Sequence, residues 1–105
     1  MKSNRATNSS GNIFRDLGLP DADEHALKAD MVIRLARLIQ KGGLNQSEAA
    51  TKLGIHQPDL SKLLRGHFEG FSLGRLFVLM QRLGSDLEIK VKPPKPNHVG
   101  RILVT

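Results

Sequence analysis

Between Ala22 and Lys41 the chain places Leu27, Met31, Leu35, Leu38 and Ile39 at intervals of one, three and four residues, the single apolar stripe of an amphipathic helix. Asp21, Asp23 and Glu24 stand at its start and Arg37 and Lys41 at its end, a charge order that suits the helix dipole, and Gly42 and Gly43 stop it. A short helix from Gln46 to Leu53 follows, with Asn45 as N-cap and Glu48 able to reach back to the cap's N–H. Gly54 then supplies a turn where a left-handed backbone is cheap. A third helix is predicted from Gln57 to Arg65, with Pro58 tolerated in its first turn, Leu60, Leu63 and Leu64 as its apolar set, and Gly66 closing it. Ser72 caps a fourth, whose Leu73, Leu76, Phe77, Met80 and Leu83 form a core stripe that Gly84 ends.

Beyond Gly84 the period changes. Leu87, Ile89 and Val91 alternate with Glu88, Lys90 and Lys92, the pattern of a half-buried strand. A lone strand is unstable because its N–H and C=O groups need a second edge; the candidates are the same strand of a second copy, which is preferred, and the short tail Arg101–Thr105. Residues 93–97, PPKPN, read as a stiff linker. At the other end, residues 1–12 offer almost nothing to bury and read as a disordered arm, while the apolar patch Ile13–Leu19, stopped by Pro20, packs on the body or holds a partner. The expected division is therefore an arm at 1–12, one domain at 13–92 ending in the strand, and a Pro-rich linker and tail at 93–105.

With 105 residues, one domain with a modest core is the expectation. The net charge of +6 favours a polyanionic partner, and the absence of Trp and Tyr beside only four Phe argues against a base-stacking platform for single strands. Duplex DNA is the better polyanion. Cysteine is absent, the first twelve residues have no apolar core of a signal peptide, and no apolar run approaches the roughly 18 residues of a membrane span, so a cytoplasmic protein without membrane contact is expected. His25, His56, His67 and His98 form no metal-ligand spacing, and neither a Gly-rich phosphate loop nor a serine-elbow motif is present; the expectation is no enzyme, no metal and no cofactor.

Two short helices cross steeply only when a small residue sits at their closest approach, here Ala50, and when the turn can go left-handed, here at Gly54. Ile55 and Leu60 would anchor the second helix, leaving Gln57, Ser61, Lys62 and Arg65 on its free side. Two ordinary core helices joined by glycine are the bland alternative; the concentration of amide and basic groups on one side favours a helix that enters a DNA major groove. The spacing of Gln46, Ala50, Gly54, Ile55, Leu60, Ser61 and Gly66 resembles the helix-turn-helix of phage-repressor-type (Xre family) regulators. That resemblance implies an all-α, lambda-repressor-like bundle of four to five short helices, with the small C-terminal β-strand (Leu87, Ile89, Val91) pairing across a dimer. It also implies that Gln57 and Lys62 face base edges with Asp59 and Ser61 beside them, and that Gln46, Lys52, His56 and Arg65 meet phosphates. For Lys52 and Arg65 a solvated surface charge is an equal reading. His56 departs from the usual Ser or Thr cap and either touches phosphate or is merely exposed. Asp59 either accepts from a cytosine amino group or is repelled by phosphate.

A longer resemblance runs from Ile13 to about Pro93. The phrase LLRGHFEGFSLGRL, joined to the Gly84 stop and the segment DLEIKV, looks like the compact Xre-type regulators that include HigA-type antitoxins. This implies a homodimer on a palindromic double-stranded operator, repression of its own operon, and neutralisation of an RNA-cleaving toxin. A stand-alone Xre-type regulator, or an interaction module that binds a partner without specific DNA binding, is the alternative.

Overall fold

A computed structural model describes residues 21–105, which form four helices: α1 (Asp21–Lys41), α2 (Gln46–Leu53), α3 (Gln57–Leu64) and α4 (Leu73–Arg82). The expected arm at 1–12 and the apolar patch Ile13–Leu19 lie outside the described residues.

The stripe of α1 faces inward as its spacing requires: Leu27, Met31, Val32, Leu35 and Ile39 are buried and Leu38 packs partly against the same core. Lys28 is buried with them, and its ammonium lies 3.0 Å from Glu24, so the charge has a partner one turn back. At the end of α1 the N–H of Gly42 donates to Leu38 O at 3.0 Å and that of Leu44 to Ile39 O at 3.2 Å, a closure that needs the left-handed φ of +70° at Gly43.

Helix α1 packs chiefly on α4 and also on α3, while α2 packs on α3 and α4. Leu35, Leu53, Leu60, Leu63, Leu76 and Leu79, one to two from each helix, are fully enclosed where these elements meet. Burying each such side chain contributes about 1.5 to 3 kcal/mol, so this cluster is what holds the short α2 and α3, neither long enough to be stable alone. The α3–α4 connection adds Phe68 and Phe71 to the core, with His25 against the Phe68 ring and the Arg75 guanidinium 4.4 Å from the Phe71 centroid.

One expectation is corrected. No strand forms among the described residues: Leu87–Lys92 has no regular secondary structure and no ladder, and Ile89 and Val91 are 81% and 89% exposed. The reason is the missing edge. The rival partner within the chain, the tail, is committed elsewhere: Arg34 on α1 donates to Val104 O at 3.2 Å and Thr105 O at 2.9 Å, and Val104 packs against the core. The segment after the prolines is thus docked on α1 at its far end, with a turn at Pro96 and Asn97 between.

Candidate nucleic-acid interface

The geometry of the α2–α3 unit begins with its caps. Asn45 Oδ1 accepts from the Glu48 N–H at 2.8 Å, and Glu48 Oε1 accepts from the Asn45 N–H at 2.9 Å, so both sides of the capping box are made. This fixes the start of α2 and leaves Gln46, its first residue, exposed. At the other end Gly54 is left-handed, φ +73°, and its N–H and that of Ile55 both reach Ala50 O, at 2.9 and 3.1 Å. Ala50 is buried in the core the helices share, where close packing leaves little room for a larger side chain.

Helix α3 is then held by its apolar side and free on the other. Leu60 and Leu63 are fully buried and Leu64 partly so; Gln57 and Lys62 are exposed, and Asp59 and Ser61 are half-buried. Arg65 is the residue that caps the C-terminus of α3, and its Nη1 donates to Ser61 Oγ at 2.9 Å. This bond draws the guanidinium back along the helix toward the hydroxyl, so Ser61 and Arg65 act as one polar unit. His56 sits at the N-cap with no side-chain hydrogen bond, leaving the amides of the first turn of α3 without a cap from that residue. Asp59 lies in that first turn, where its negative charge favours the helix dipole whatever else it meets. Lys52 is exposed in the last turn of α2.

Sequence reasoning missed Arg82. From the last turn of α4 its Nη1 donates to Leu53 O at 2.6 Å, satisfying a carbonyl that α2 leaves unpaired at its end. The guanidinium also lies over Gly54, where a Cβ would stand 3.0 Å from Nη1. No local pattern connects positions 29 residues apart, so nothing in the sequence signals the contact. Around it Gly54, Ile55, Gly74, Arg75, Val78, Leu79 and Arg82 line a shallow cleft of about 320 Å³.

Two helices joined through a left-handed glycine, with the second presenting amide and basic groups from a buried leucine seam, define a helix-turn-helix DNA-binding domain. Residues 13–92 match the family model described as a helix-turn-helix domain. A solved structure described as an XRE-family transcriptional regulator is similar, with 39% sequence identity and a TM-score of 0.76 over 82% of this chain and 98% of that one. The chain belongs to this helix-turn-helix family, as an Xre-type DNA-binding transcriptional regulator. No curated protein matches it. Among the described residues no helix is long and apolar enough to cross a membrane.

Proposed function

We propose that the protein is a homodimeric, sequence-specific repressor that binds a palindromic operator, and that it serves as the antitoxin of a toxin–antitoxin pair whose operon it represses. The observation that carries the DNA-reading part is the division of α3: Leu60 and Leu63 have no exposed surface while Gln57 and Lys62, on the other side, are exposed. In this reading Gln57 bonds an adenine edge bidentately and Lys62 reaches O6 and N7 of guanine, with Ser61 and Asp59 alongside. Gln46, His56, Lys52 and Arg65 contact phosphates, which set register without reading sequence. The uncapped amides at the start of α3 add donors for one of those phosphates. Two copies would set their α3 helices about 34 to 36 Å apart, one turn of DNA.

The test is a titration of labelled duplex carrying the palindrome nearest upstream of the gene against scrambled duplex at near-physiological salt. A specific repressor prefers the palindrome by about 10³-fold or more. Equal, weak binding to both would instead support a basic interaction module. The antitoxin role rests on the resemblance of the segment from Leu63 to Val91 to compact antitoxins, and is tested separately, by whether co-expression of this chain relieves growth arrest caused by the product of the adjacent gene.

A further inference from the structure

Helix α4 carries no acidic residue, and its two arginines, Arg75 and Arg82, stand two turns apart on one face, about 10 Å along the axis, with Val78 and Leu79 between them. Both guanidiniums are held in place without an acid. Arg75 lies over the Phe71 ring, 4.4 Å from its centroid, and Arg82 Nη1 donates to Leu53 O at 2.6 Å. The ion pairs among the described residues are Lys28 with Glu24 and Arg34 with Asp30, so neither α4 arginine has a carboxylate partner there. Stacking occupies the face of the Arg75 guanidinium and leaves its in-plane N–H donors unused, while the bond to Leu53 O uses a single donor of Arg82. Both side chains line the cleft of about 320 Å³, whose other wall is Gly54 and Ile55 of the α2–α3 turn.

We propose that this cleft binds a small organic dicarboxylate, one carboxylate on Arg75 and the other on Arg82, with the carbon chain lying over Val78 and Ile55. A guanidinium edge matches a carboxylate in charge and in the spacing of its donors. The anchors hold the two guanidiniums toward different ends of the cleft: Phe71 lies four residues N-terminal to Arg75, and Leu53 lies beside the C-terminal turn of α4. A compact anion therefore engages one arginine, and an anion charged at both ends engages both. Between them Val78 and Ile55 are half-buried and Leu79 is buried, an apolar surface that suits methylene groups and disfavours a charge. The volume lies at the small end of the roughly 300 to 1,000 Å³ usual for small-molecule sites. Because both side chains are already anchored, little further ordering opposes binding.

The site is separate from the residues assigned to DNA. No side chain lining the cleft belongs to the set proposed to read bases or meet phosphates, so a bound dicarboxylate and a duplex do not compete for one group. The ligand would instead lie against the turn that leads into α3, the position of an effector. The inference does not depend on the homodimer or on the antitoxin role.

The test is a titration of the full chain, without DNA and at near-physiological salt, with glutarate and adipate, with pentanoate and hexanoate, and with inorganic phosphate. Binding is read from the amide resonances of Gly54, Ile55 and Val78. A dicarboxylate should bind about tenfold or more tightly than the monocarboxylate of equal length, because it makes a second charge-assisted pair. Arg75→Gln, at an exposed position, should bring the dicarboxylate down to the monocarboxylate level with helical circular dichroism unchanged. Arg82→Lys keeps a donor for Leu53 O but loses the planar fork, and should weaken the dicarboxylate in the same way. Equal binding of all these anions, phosphate included, would mark a nonspecific counterion and overturn the proposal. No response of the three amides to either dicarboxylate would overturn it too; if Arg75→Gln then also weakened binding to scrambled duplex, the arginines would belong to the DNA backbone. Since the titration contains no DNA, its failure leaves the reading of α3 standing, and a failure of operator binding leaves the cleft standing.

Discussion

Arg82 Nη1 donates to Leu53 O at 2.6 Å, a bond that ties the last turn of α4 to the end of α2 at the point where the chain turns into α3. The bond crosses the helix-turn-helix from outside. It satisfies an orphan carbonyl of α2, and the guanidinium lies over Gly54, at the turn from which α3 departs.

Arg82→Ala removes a charged hydrogen bond that is partly buried, so stability should fall by about 1 to 2 kcal/mol, read from urea denaturation. Because the bond positions α3 without touching DNA in this account, affinity for the palindrome should drop further than affinity for scrambled duplex. Equal losses on both duplexes would make Arg82 a phosphate contact.

Gly54→Ala should cost about 1 to 2 kcal/mol from the left-handed φ of +73° alone, and the added Cβ would in addition displace the Arg82 guanidinium. Gly54→Asn, which tolerates that backbone better, should lose less. Thermal denaturation of the two variants checks the order.

The caps and the core give a second stability contrast. Asn45→Ala breaks the capping box of α2 and should cost about 1 kcal/mol, while Leu60→Ala opens a cavity beneath α3 and should cost about 2 to 5 kcal/mol. A Leu60→Ala loss no larger than that of Asn45→Ala would mean that α3 is not seated by its leucine seam.

Much of this architecture is legible in the residues because its causes are local. The stripe of Leu27, Met31, Leu35 and Ile39, the box of Asn45 and Glu48 and the turn at Gly54 each act within a few residues, and each has the structure its spacing predicts. What the sequence does not reveal is long-range: the Arg82 bond to Leu53 and the Arg34 bonds to Val104 and Thr105 join residues with no shared period. The segment from Leu87 to Lys92 shows the limit from the other side, since its period-two pattern specifies a face but a ladder needs a second edge. On the polar side of α3, exposure of Gln57 and Lys62 follows from the helical period, whereas the bond between Arg65 and Ser61 depends on rotamers that no pattern specifies.

If Arg65 makes the proposed phosphate contact, Arg65→Ala should weaken binding to every duplex to a similar degree and lower the slope of log affinity against log salt by about 1. The salt series should also reveal any role of the Ser61 hydroxyl that Arg65 engages: if Arg65→Ala changed base preference while the slope stayed the same, the pair would belong to base reading.

The measurement that tests the account most directly is the affinity of Lys62→Ala for the operator and for operators substituted one base pair at a time. Loss of about 1 to 3 kcal/mol at the cognate site, with discrimination relaxed at a single position, is the predicted result. Operator affinity left as it was, with every substituted site still discriminated as before, would contradict the assignment of α3 as the helix that reads DNA.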